Sequence, residues 1–150
     1  MRTLFVAYRV SDLERSLAFY TALGYVELGR VAFDDGGRLA LLSFPEEPVA
    51  TLELVYRPNA GPVDVGGFDH LAIQTDDLAE TLATLTGRGL IPGPTELPGG
   101  PDGPQITWLE DPDGYQIELV EWPPGHSYGL TAADFANAPS DPGKEASPDQ

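Results

Sequence analysis

Residues 4–25, LFVAYRVSDLERSLAFYTALGY, and residues 69–90, DHLAIQTDDLAETLATLTGRGL, repeat one pattern at a spacing of 65. Phe5 falls on His70, Asp12 on Asp77, Leu13 on Leu78, Leu17 on Leu82 and Gly24 on Gly89. The same shift carries Leu52-Glu53-Leu54 onto Ile117-Glu118-Leu119. Internal similarity of this kind marks a supersecondary unit used twice. An offset that survives from the start to the end of each unit predicts two units aligned without compensating gaps.

Each unit reads as a strand, a helix and three further strands. In the first, Leu4–Val10 is a β-type run, and Ser11-x-x-Glu14 reads as a capping box that opens a helix. Leu13, Leu17 and Tyr20 recur at i, i+4 and i+7 to give one buried face, and Gly24 stops the helix. Strands follow over 26–33, 38–44 and 50–57, with Asp34-Asp35-Gly36-Gly37 as the first hairpin turn. The second unit predicts a strand over 68–75, a helix over 77–88, and strands near 90–96, 104–110 and 114–122. The chain therefore divides into a first module (1–57), a Pro/Gly-rich linker (58–66) and a second module (67–122). A C-terminal extension (123–138) and a Pro/Ser/Asp-rich tail (139–150), expected to be disordered, complete it.

Within DPDGYQIELVEW, residues 111–122, Asp113-Gly114 is a turn and Ile117, Leu119 and Val120 read as a buried strand. Side chains alternate faces along a strand, which sets Glu118 opposite Ile117 and Leu119. Either Glu118 points into water from a half-exposed strand, or its face lines a cavity where a carboxylate acts as ligand or base.

Composition removes most alternatives. The 150 residues carry 24 acidic against 8 basic side chains, a net charge of −16, which argues against nucleic acid and against an anionic membrane surface. No apolar run approaches the ~18 residues of a membrane span, and the apolar N-terminal stretch is too short for a secretory signal. A cytoplasmic protein is expected. Cysteine is absent, which excludes disulfides and thiolate nucleophiles. The only lysine is Lys144, in the tail. There is no G-x-S-x-G, P-loop or dinucleotide fingerprint, and His70 and His126 are the only histidines.

With the repeat, the segments RVSDLERSLAFYTALGY, TLELVY, FDHLAIQTDDL and DPDGYQIELVEW resemble the vicinal oxygen chelate superfamily over residues 3–122. That superfamily holds glyoxalase I, bleomycin resistance proteins and extradiol dioxygenases. The resemblance implies an α+β fold in which two tandem βαβββ modules form curved half-barrels around a cup-shaped site. It also implies pairing across a homodimer. Closest in pattern is glyoxalase I, whose four ligand positions would fall on Phe5, Glu53, His70 and Glu118. Three of the four are ligand types here, and Phe5 is the departure. The implied cofactor is one divalent ion (Ni, Zn, Co, Fe or Mn) on Glu53, His70 and Glu118, because imidazole and carboxylate suit such ions. Glu118 or Glu53 would move a proton on a small hydroxy-carbonyl or thiol-adduct substrate. Arg9, four residues after the first ligand position, and Arg57 are candidate substrate-binding groups for a carboxylate.

Other readings stand beside this lyase or isomerase. A metal-free small-molecule binder of the bleomycin-resistance type would use Phe5 and Trp108 as stacking walls. An iron ring-cleaving dioxygenase needs two histidines in the cup, where only His70 is expected. His70 alone could be a hydrogen-bonded core histidine, and Glu53 a strand residue facing water. His126 reads as a surface loop residue, with a fold-back that supplies the missing ligand as the alternative. Trp122 is expected to pack at a strand end, and 131–135 to form a short capped helix with no assigned chemistry.

Overall fold

The computed structural model describes residues 2–136; the tail expected at 139–150 lies outside them. The first module holds β1 (Val6–Arg9), α1 (Leu13–Leu23), β2 (Val26–Ala32), β3 (Arg38–Ser43) and β4 (Leu52–Tyr56). The second holds β5 (Leu71–Gln74), α2 (Leu78–Gly87), β6 (Gln105–Glu110) and β7 (Gln116–Glu121), before a short 3-10 turn at Ala132–Phe135. The strands form two separate mixed sheets, ordered β1-β4-β3-β2 and β5-β7-β6. The fold is α+β, built from two tandem modules.

The repeat is exact in the parallel ladders. Val6 pairs with Leu52 and Ala7 with Glu53, while Leu71 pairs with Ile117 and Ala72 with Glu118. Both helices start in the same way, Asp12 accepting from the Arg15 amide and Asp77 from the Glu80 amide. They also end alike, through Tyr25 N–H to Tyr20 C=O and Leu90 N–H to Leu85 C=O. Gly24 (φ 122°) and Gly89 (φ 86°) take the left-handed turn that ends each helix, where a Cβ would be strained.

Three expectations are corrected. The cap of α1 is Asp12, not Ser11; Ser11 donates its hydroxyl and its amide to the Asp113 carboxylate, across the modules. The units are not free of compensating gaps, because β3 and β6 are displaced by 67: Leu41 lies opposite Glu53, but Trp108 lies opposite Glu118. The 44–51 connection is longer than the tight 111–115 turn, and the difference restores the offset by β4 and β7. Finally, the strand expected near 90–96 is reduced to a single bridge between Glu96 and Ile106, with one further bond from the Gly93 amide to Trp108. Pro92 and Pro94 lack the amide a continuous ladder needs.

One core serves both modules, running from Tyr8, Leu13, Leu17 and Tyr20 to Leu78, Leu109, Tyr115 and Ile117. A polar chain is sealed inside it. Tyr8 donates to the Tyr20 hydroxyl, and Tyr20 donates to Asp111 Oδ2 at 2.9 Å. The other carboxylate oxygen accepts the amides of Asp113 (2.8 Å) and Tyr115 (2.9 Å). Asp111 is 3% exposed, and burial outweighs those bonds to push its carboxyl above the usual range. Burial also raises Tyr8 and Tyr20 well above the ordinary tyrosine value. Tyr115 closes the seam by donating to the Arg9 carbonyl at 2.8 Å. The DPDG turn thus locks the second module onto α1 and β1 of the first.

Candidate functional site

Alternation along β7 buries Ile117 and Leu119 at 0% and 1% exposure and turns Glu118 to the opposite face of its sheet. That face is a half-buried surface, not open water: the Glu118 side chain is 18% exposed. His70 immediately precedes β5, whose Ala72 is the register partner of Glu118, so the two side chains meet. His70 Nε2 lies 3.2 Å from Glu118 Oε2. Trp108, opposite Glu118 on β6, sets its ring edge-to-face against the imidazole with centroids 5.2 Å apart. The structure brings His70, Glu118 and Trp108 together.

Asp69 joins this group, and the sequence reading missed it. Its carboxylate is 2.5 Å from His70 Nδ1. With Nδ1–H given to Asp69, the Nε2 lone pair would face a carboxylate unless a proton or a cation lies between them. The 3.2 Å spacing is within hydrogen-bond reach, and an imidazole nitrogen beside a carboxylate oxygen is a donor pair whose chemistry would suit a divalent ion. The only sequence signal for Asp69 is its adjacency to His70.

Glu53 stands apart from this pair. It lies on β4 in register with Ala7 and Leu41, on the face opposite the buried Leu52 and Leu54. Alternation sets half-buried Phe5 on that same face. Among the described residues no three His, Asp or Glu side chains converge on one point. The candidate ligands of one chain therefore lie on two different sheets, His70 and Glu118 beside one and Glu53 on the other.

The arginines are engaged elsewhere. Arg9 donates from Nη2 to the Gly61 carbonyl in the linker (2.6 Å), and its buried Nε has no partner among the described residues. Arg57 lies over the Phe33 ring at 5.6 Å. His126 is not a spare ligand. Its ring nitrogens face the Ser127 carbonyl (2.7 Å) and the Asp134 carboxylate (2.9 Å), and its ring stacks on Trp122. The cap expected at Thr131 is present, since Asp134 accepts both the Thr131 amide and hydroxyl. Those bonds, led by the amide, hold the Asp134 carboxyl below the usual range. No helix among the described residues is long and apolar enough to cross a membrane.

The sequence and the fold have relatives. A family described as the glyoxalase/bleomycin resistance protein/dioxygenase superfamily matches residues 2–119. The chain is 36% identical over 119 residues to a lactoylglutathione lyase of Arabidopsis thaliana, covering 74% of this chain and 41% of that protein. Identity to the lactoylglutathione lyase of Salmonella typhimurium is 35% over 93 residues, covering 59% and 69%. The glyoxalase I structure from Leishmania major superposes with a TM-score of 0.63 at 30% identity, covering 81% of this chain and 86% of that one. The chain spans less than half the length of the plant relatives it matches. From the two tandem modules and this match, the chain belongs to the glyoxalase/bleomycin resistance protein/dioxygenase superfamily.

Proposed function

We propose that the protein is a metal-dependent lyase of the glyoxalase I type, working as a homodimer on a small thiol-adduct hydroxy-carbonyl. The observation that carries this reading is the His70–Glu118 pair at 3.2 Å, a nitrogen and an oxygen donor on one half-buried sheet face. The likeness to lactoylglutathione lyases supports it. His70 and Glu118 of one chain and Glu53 of the second hold the ion. A divalent ion bound there supplies Lewis acidity, which acidifies the C–H between a hydroxyl and a carbonyl.

The chain's own groups do the rest. Asp69 fixes the imidazole tautomer and leaves Nε2 free toward the ion. Trp108 walls the imidazole on one side and limits water at the reacting centre. A carboxylate, Glu118 or Glu53, takes the proton from the carbon bearing the thiol and returns it to the neighbouring carbon. The electron pair left behind forms the enediol as the ketone oxygen takes up a proton. The hydroxyl on the sulfur-bearing carbon gives up its proton as that carbon becomes the thioester carbonyl, so a hydroxy-ketone becomes a hydroxy-thioester with no change in composition. Phe5 takes no part in coordination, and three protein ligands suffice for a catalytic ion.

The test is metal analysis of tag-free protein, with turnover of methylglyoxal and glutathione by wild type and Glu118→Gln. One tightly held divalent ion per chain and loss of turnover in the variant support the proposal. No retained metal after supplementation, with wild-type turnover in Glu118→Gln, overturns it.

A further inference from the structure

The family match ends at residue 119, yet the chain continues through an ordered segment that returns to the face carrying His70. Leading into and along β5, His70, Ala72 and Gln74 fall on one face, and on β7 Glu118 and Val120 share it, with Trp122 next in the alternation. At the far end of that face, Gln74 Oε1 accepts two bonds, from Trp122 Nε1 (2.8 Å) and from the Gly129 amide (2.9 Å). Trp122 stacks on His126 with centroids 4.8 Å apart. His126 contacts Asp134, and Asp134 holds Thr131. The Trp122 indole N–H, the Gly129 amide and both His126 ring nitrogens are answered within the segment or by Gln74.

We infer that residues 122–136 form a strap pinned by Gln74 that walls off one end of the cup, and that this wall limits how long an adduct the protein accepts. The inference rests on the reading of the site as one for thiol adducts. Four residue steps separate His70 from Gln74, so the wall stands ~13 Å along the strands from the imidazole. A substrate whose reacting carbons lie at His70 has that length for the part carried by sulfur. A longer chain laid toward Gln74 meets the Trp122–His126 stack. Gln74 is thus a specificity-determining residue that acts by positioning the strap.

The test titrates S-lactoyl thioesters of 3-mercaptopropanoate, 6-mercaptohexanoate and 11-mercaptoundecanoate by calorimetry, so that no turnover is needed. Hydrogen exchange at the Gly129 amide is read in parallel. Wild type is expected to bind the longest thioester at least tenfold more weakly than the middle one. Gln74→Met, close in size but without the acceptor oxygen, speeds Gly129 exchange and shrinks that gap below threefold. Gln74→Glu keeps an acceptor oxygen and keeps the gap. A gap unchanged in Gln74→Met despite faster Gly129 exchange, or no gap in wild type, overturns the strap as a length limit. If no thioester binds any variant, the thiol-adduct reading itself fails and the inference falls with it.

Discussion

Tyr20→Phe isolates the polar chain that fixes one module against the other. The substitution keeps the ring, which is fully buried, and removes only the hydroxyl that links Tyr8 to Asp111. A hydrogen bond to a carboxylate contributes ~1.5–3 kcal/mol, and an unpaired buried hydroxyl on Tyr8 costs a further ~1 kcal/mol. Asp111 keeps the Asp113 and Tyr115 amides, which limits the damage on its side. The expected loss is about 3 kcal/mol, measured by urea unfolding at neutral pH. A double-mutant cycle with Asp111→Asn should return a coupling of at least ~1 kcal/mol, because the two residues touch. A loss under ~0.5 kcal/mol, with no coupling, would refute the claim that this chain holds the modules together.

Titration gives a second expectation. Asp111 binds its proton more tightly folded than unfolded, so its contribution is complete below the ordinary value of 3.8 and is lost as pH rises through the raised folded value. Relative to Asp111→Asn, wild type should therefore lose melting temperature as pH rises out of the acid range. Tyr8 and Tyr20 are raised as well, so their contribution is complete below pH 10 and is lost above it, as alkaline melts should show. His70→Ala should weaken divalent-ion binding at least ~10-fold by calorimetry. Phe5→His should tighten Ni²⁺ or Zn²⁺ binding by adding a donor on the Glu53 face, while destabilising the metal-free form by ~1–3 kcal/mol in thermal melts. Equal affinity in wild type and Phe5→His would remove Phe5 from the ion's surroundings.

What the sequence reveals follows from the range over which each signal acts. The repeat is legible because the parallel ladders and both helices keep one offset, and alternation alone places Glu118 opposite Ile117 and Leu119. The displacement of β6 relative to β3 is hidden because matching Glu53 with Glu118 constrains only β4 and β7. Ser11 has the side chain of a helix cap, and only the docked DPDG turn diverts it to Asp113. Tyr8, Tyr20 and Asp111 are far apart in sequence, and no local pattern joins two tyrosines to a carboxylate at a turn. Glu53, His70 and Glu118 are legible as residues of the right kinds. Their division between the modules, Glu53 in the first and His70 with Glu118 in the second, is legible too, whereas the close approach of His70 to Glu118 depends on the pairing of β5 with β7.

The proposed site rests on the division of its ligands between the two sheets: as proposed, each site would draw Glu53 from one chain and His70 with Glu118 from the other. It is tested most directly by mixing Glu53→Gln and Glu118→Gln chains, unfolding and refolding them together, and measuring tightly bound divalent ion. Each variant alone should hold little. In a 1:1 mixture half the dimers are mixed, and each mixed dimer has one intact site of two, so about one quarter of wild-type occupancy should return. Occupancy no higher than in the separate variants would contradict a site shared between chains.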